Sequence, residues 1–169
     1  MYKILIVDDD KDIRDSLYAL LSNEFIITTA GNSKEARAML TGPQQPDLML
    51  LDVRMESEHE GFELASEIFD RFKERKIPII LITSLEVFTV SAAIGGIARD
   101  LRTKYPEQNL NILVLRSITG EVLVDYQSME SGQSVCIEVD GFHPKPINPA
   151  KLKREINLIL SRYKESKSG

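Results

Sequence analysis

The chain has 169 residues, 43% apolar and 28% charged, which supports one ordinary hydrophobic core and excludes disorder as the dominant state. A formal net charge of -5 argues against a general nucleic-acid coat, and apolar runs of about four to six residues fall far short of a membrane span. The start reaches acidic residues at Asp8 before a signal-peptide core forms, and the single Cys136 excludes an internal disulfide or a cysteine-rich zinc site, so a reducing, cytoplasmic setting is expected.

In chain order, Lys3–Val7 reads as a strand without polar alternation, as in a parallel strand buried on both faces. Ile13, Leu17, Leu20 and Leu21 then share one helical face, with Asp10 as N-cap. Phe25–Thr29 reads as a second strand. Asn32 or Ser33 caps a helix running to about Leu40, where Gly42-Pro43 stops it. Leu48–Leu51 is a third buried strand ending at Asp52. Phe62, Ala65, Ile68, Phe69 and Phe72 repeat at helical spacing, and after Pro78 the run Ile79–Ile82 leads into Thr83. This alternation predicts an α/β fold: a parallel sheet with right-handed crossovers and helices on both faces.

The second half departs from that rhythm. Val90, Ala93, Ile94, Ile97, Ala98 and Leu101 form a helical stripe interrupted by Gly95-Gly96, which implies a close contact or a kink. Ile112–Leu115 and Val122–Val124 flank a Thr119-Gly120 turn signal and read as a hairpin, with Val135–Val139 a further β-like run. Asn148-Pro149 opens a final helix with Leu152, Ile156, Ile159 and Leu160 inward, fraying from Lys164. Residues 1–85 carry a net -6, residues 86–140 a net -4 and residues 141–169 a net +5. The basic end coincides with the amphipathic final helix, so it reads as a solvated helix face.

Ligands of a parallel sheet bind beyond the carboxyl ends of its strands. Those ends carry Asp8-Asp9, Asp52 and Thr83, and a Lys145-Pro146 pair follows the late β-like stretch. Carboxylates gathered in one crevice repel each other unless a cation neutralises them, and hard oxygen donors suit Mg²⁺. A strand-end carboxylate is also a potential nucleophile toward phosphoryl groups, whose other oxygens a hydroxyl and an ammonium would bind. Taken singly, each is ordinary: an Asp pair caps helices, a strand-end Asp or Thr is solvated, and Lys-Pro makes turns. Their occurrence in order at successive strand ends is the informative feature.

The segments Ile4-Leu5-Ile6-Val7-Asp8-Asp9-Asp10, Leu48-Met49-Leu50-Leu51-Asp52-Val53-Arg54-Met55, Ile80-Leu81-Ile82-Thr83-Ser84 and Phe142-His143-Pro144-Lys145-Pro146 together resemble the receiver domain of two-component response regulators. The resemblance covers roughly residues 1–85 and 140–162. It implies a flavodoxin-like, doubly wound, five-stranded parallel sheet, here with an inserted helical extension and β-hairpin before the last strand. Residues 1–163 would be a single domain with an insertion at about 87–140, and 164–169 a flexible tail. The resemblance makes Asp52 the phosphoacceptor, Asp9 a direct Mg²⁺ ligand and Asp8 a ligand largely through water. The Arg54 carbonyl would complete the metal site. Thr83 would be the switch hydroxyl, Lys145 the partner of the phosphoryl oxygens, and Phe142 the aromatic coupled to Thr83. The peptide before Pro146 resembles one that is cis in the family. Such a protein is a phosphoacceptor with some self-catalysed chemistry rather than a conventional enzyme. Its implied partners are a histidine kinase or phosphotransfer protein, a downstream protein and a second copy of the chain, with no DNA-binding domain and no membrane.

The departures are also specific. Glu56 stands where the family usually has proline, and the segment from Asp52 to Gly61 is one residue longer, with an acidic Glu56-Ser57-Glu58-His59-Glu60 loop. About 40 extra residues separate Thr83 from Lys145. They are not linker-like, so 87–140 is expected to be a folded recognition element packed on the sheet edge, the long helix or a second subunit. His59 reads as solvent-facing and His143 as a packing residue. Two other functions fit part of the pattern. One is a receiver-shaped interaction module that never uses phosphate. The other is a haloacid-dehalogenase-like phosphatase with Asp8 as nucleophile and Asp10 as acid/base, which leaves Asp52 and Lys145-Pro146 without a role.

Overall fold

A computed structural model describes residues 1–43, 45–55, 60–71, 77–84, 87–91, 112–116, 122–127 and 134–167. These residues form two sheets. The first joins β1 (Lys3–Val7), β2 (Ile26–Ala30), β3 (Leu48–Asp52), β4 (Ile79–Thr83) and β9 (Gly141–Pro144) in the order β2-β1-β3-β4-β9. Every pairing in it is parallel. The helices are α1 (Lys11–Leu21), α2 (Ser33–Thr41), α3 (Glu60–Arg71) and α4 (Pro149–Lys167). This is the expected doubly wound sheet, with the reversal of strand order at β1.

The period-2 alternation of side chains explains why the central strands are apolar throughout. Leu5, Val7, Met49, Leu51, Ile79 and Leu81 enter the core on the side of α2 and α3. Ile4, Ile6, Leu48, Leu50, Ile80 and Ile82 enter a second core with Leu17 and Leu21 of α1 and Leu152, Ile156, Ile159 and Leu160 of α4. Caps stand where the sequence puts them. The Asp10 carboxylate accepts from the amides of Asp12 and Ile13, Asn32 Oδ1 from Glu35, and Asn148 Oδ1 from Lys151. α4 runs on to Lys167, past Lys164 where fraying is predicted.

The second sheet contains β5 (Val87–Ser91), β6 (Ile112–Arg116), β7 (Val122–Gln127) and β8 (Ser134–Val139), in that order. β5 and β6 are parallel, whereas β6-β7 and β7-β8 are antiparallel. The predicted hairpin is thus real but forms the middle of a larger sheet. Val90 lies in β5 rather than at the start of a helix; positions 93–101 of that stripe, Gly95-Gly96 included, lie outside the described residues. Val87-Phe88-Thr89-Val90 is rich in strand-forming residues, and pairing with β6 overrides the helical phase of Val90. Val114, Val122, Val124, Ile137 and Val139 join the core that covers the main sheet beside α3. β8 packs against α3 and β4. β6, β7 and β8 are therefore built into the core, not projected from an edge. No helix among the described residues is long and apolar enough to cross a membrane.

Candidate functional site

The parallel sheet brings the carboxyl ends of β1, β3 and β4 together, and with them Asp8, Asp52 and Thr83. Asp8 and Asp52 are buried, at 1% and 4% exposure, and Thr83 is fully buried. Asp9 is exposed on the rim. One carboxylate oxygen from each of Asp8, Asp9 and Asp52 lies within 4.8 Å of the others. Asp52 pairs in register with Ile82, which sets Thr83 one step beyond the level of Asp52.

Lys145 closes the site from β9. Its ammonium donates to Asp52 Oδ2 at 2.7 Å and to Asp8 Oδ2 at 2.9 Å. The remaining oxygens are also held: Asp52 Oδ1 accepts from the Arg54 amide at 3.1 Å, and Asp8 Oδ1 from the Asp10 amide at 3.0 Å. Burial pushes the Asp52 carboxyl above its ordinary range and the Asp8 charge adds to this, while hydrogen bonding and charge from Lys145 oppose it. Lys145 is itself held above the usual ammonium range: burial works against its charge, but the two carboxylates outweigh it. The Lys145 amide donates to the Thr83 carbonyl at 2.7 Å, and the Lys145–Pro146 peptide is cis.

Phe142 pairs in register with Leu81 and is buried in the core shared with Met55 and the second sheet. His143 is buried with its Nε2 2.5 Å from Glu155 Oε2. Asp10 does not join the cluster; its exposed side chain caps α1. Positions 56–59, including Glu56, Glu58 and His59, lie outside the described residues. Glu60 belongs to α3 rather than to a loop, and its Oε1 accepts from the Ser33 amide at 3.1 Å.

Three contributors escape the motif reading. The Arg14 guanidinium donates to the Asp8 carbonyl at 2.6 Å, bracing the first acidic turn. Gly61 meets the backbone of Asp52 and Val53 so closely that no side chain fits. Asp140 binds the first residue of β4. Of these only Gly61 leaves a trace in the sequence, as a glycine at a helix start; the other two act through contacts distant in sequence.

Three carboxylates and a lysine at adjoining strand ends form a hard-oxygen site whose own cation is an ammonium. The donor set fits Mg²⁺, and Asp8, Asp9 and Asp52 are the side chains that could hold it.

The chain is 29% identical over 164 residues to Protein PetR of Rhodobacter capsulatus, covering 96% of this chain and 50% of that protein. It is 42% identical over 82 residues to a 14.6 kDa protein of Leptolyngbya boryana, covering 48% of this chain and 61% of the relative. It thus spans about half to three-fifths of these relatives' lengths. Among solved structures, a CheY-like response regulator receiver domain protein of Methanospirillum hungatei superposes with a TM-score of 0.59 at 21% identity, over 100% of this chain and 99% of the other, which shows a shared fold. The model of the response regulator receiver domain family matches residues 4–114, reaching from β1 into the second sheet. With the acidic cluster and its lysine at the strand ends, this establishes that the chain belongs to the response regulator receiver domain family.

Proposed function

We propose that this receiver accepts a phosphoryl group on Asp52 from a histidine kinase or phosphotransfer protein, with Mg²⁺, and signals through protein contacts in the cytoplasm. The observation that carries the reading is the Lys145 bridge between Asp52 and Asp8 beside Asp9. In the transfer, an Asp52 carboxylate oxygen attacks phosphorus, a new P–O bond forms, and the bond to the donor breaks in line. The residues that would hold the ion are Asp8, Asp9 and Asp52 with the Arg54 carbonyl, and bound Mg²⁺ supplies charge neutralisation for the phosphoryl oxygens. Lys145, just past the end of β9, gives a second positive charge, and its ammonium can exchange a carboxylate partner for a phosphoryl oxygen. Thr83 supplies the hydroxyl that follows the new group, and Phe142 the buried aromatic that responds. Self-catalysed transfer from small donors and hydrolysis of the acyl phosphate use the same groups.

The test is incubation with acetyl phosphate and Mg²⁺ followed by mass spectrometric location of the acyl phosphate. Label at Asp52 that is lost on chelation supports the reading. Label at Asp8 instead points to phosphatase-like chemistry, and absence of any label points to an interaction module that does not use phosphate.

A further inference from the structure

β8 ends at Val139 and β9 begins at Gly141, so Asp140 alone joins the second sheet to the strand that delivers Phe142 and Lys145. Its amide donates to the Ile79 carbonyl at 2.9 Å, and its Oδ2 accepts from the Ile79 amide at 3.0 Å. One residue thus engages both backbone groups of the first residue of β4. The other oxygen, Oδ1, accepts the Tyr163 hydroxyl of α4 at 2.7 Å. Burial, then the charge of Asp140 and its hydrogen bond, hold that phenol far above its usual range, which keeps it a donor. Strand, helix and insertion therefore meet at one carboxylate.

β9 needs such an anchor. It is four residues long, pairs among the described residues with β4 alone, and includes Pro144, which has no amide to donate. Its ladder starts at Ile80↔Gly141 and ends at Thr83↔Pro144, immediately before Lys145. Few ladder pairings hold a strand this short, and a slip of one residue moves a side chain by about 3.3 Å and turns it to the other face. Such a slip would take the Lys145 ammonium from the Asp8–Asp52 pair and Phe142 from the core.

We propose that Asp140 is a positioning residue for Lys145, locking β9 in register on β4 where the chain returns from the second sheet. The proposal rests on the acceptor-site reading above for its consequence, but its geometry is independent of phosphorylation. Asp140 acts on the site through β9. The electrostatic signature is distinctive, because the ammonium competes with any other cation for Asp8 and Asp52. Displacing it frees the carboxylates for Mg²⁺ while removing a charge that the transfer uses.

The experiment compares the full-length parent with Asp140→Ala, Tyr163→Phe and, as reference, Lys145→Ala. The readouts are hydrogen exchange at the Lys145 amide, Mg²⁺ affinity by calorimetry, and the rate of Asp52 labelling by acetyl phosphate. Asp140→Ala should speed Lys145 exchange by roughly tenfold, as expected for losing hydrogen bonds to a charged group. It should also shift Mg²⁺ affinity in the tighter direction set by Lys145→Ala, and slow labelling. General destabilisation does not produce this pattern, since it weakens Mg²⁺ binding along with the rest. Tyr163→Phe, which keeps both bonds to Ile79, should give the same shifts at smaller size and decides the matter if Asp140→Ala does not fold. Parental exchange and parental Mg²⁺ affinity in the folded variants overturn the proposal. If the parent itself takes no label, the acceptor reading fails, and the exchange rate at Lys145 still decides whether Asp140 sets the register.

Discussion

Gly61, at the start of α3, packs its backbone directly on Asp52: a Cβ there would overlap the Asp52 carbonyl oxygen and lie 2.6 Å from that of Val53. The Gly61 amide also donates to the Val53 carbonyl at 3.2 Å. Every close atom is backbone, so no side-chain rotation relieves the overlap, and α3 or the end of β3 must shift. Gly61→Ala is expected to destabilise the fold by about 2–4 kcal/mol. It should also slow Asp52 labelling at temperatures where the variant is fully folded. Chemical denaturation and a labelling time course check both halves, and parental stability would show that α3 gives way without cost.

Asp52 carries a stability cost that comes chiefly from burial. Its carboxyl lies above the ordinary range chiefly through burial, so the folded state prefers the protonated form more than the unfolded chain does. The associated stability is present below the unfolded value and is lost as pH rises through the folded one. Asp52→Asn should therefore stabilise the metal-free protein at neutral pH, and the gain should vanish below the ordinary Asp range. Denaturation midpoints of parent and variant across pH 3 to 8 test this. A variant less stable than the parent at neutral pH would mean that the Lys145 contact outweighs burial. The same variant should take no label.

Thr83 and Lys145 should separate transfer from switching. Thr83→Ala keeps the backbone bond from the Lys145 amide and removes a buried hydroxyl together with its γ-methyl. It should accept label and fail to change conformation. Lys145→Ala should lower the labelling rate and also blunt the response, since the charge-assisted contact is gone. Limited proteolysis and sedimentation before and after acetyl phosphate distinguish the two. A Thr83→Ala protein that responds like the parent removes Thr83 from the switch.

The second sheet should unfold with the receiver rather than apart from it. Ile137 is 4% exposed and shares one core with Ala65, Ile68, Leu81 and Phe142. Ile137→Ala should cost about 2–4 kcal/mol and shift a single cooperative transition. Two resolved transitions would show that the sheets are energetically independent. Deleting β6 and β7 would likewise unsettle the receiver, because Val114, Val122 and Val124 would leave the shared core.

Much of the candidate site is legible in the sequence because its parts are local. Uninterrupted apolar runs such as Ile4–Val7 and Leu48–Leu51 specify strands buried on both faces, and a strand's end places Asp8 or Asp52 without knowledge of its neighbours. The caps Asp10, Asn32 and Asn148 act within three residues of themselves. Lys145 is identified by its motif, but its bridge to Asp8 and Asp52 joins residues 137 and 93 positions apart and belongs to the folded sheet. The tertiary structure alone decides the rest. Val90 carries a helical phase with the residues after it, yet becomes strand because β6 offers a partner for its backbone. Asp140 reads as an ordinary loop acid until Ile79, 61 residues away, and Tyr163 meet it. Periodicity and capping are properties of neighbours in sequence, whereas strand pairing and buried hydrogen bonds are settled by which distant backbone and side-chain groups each element can satisfy.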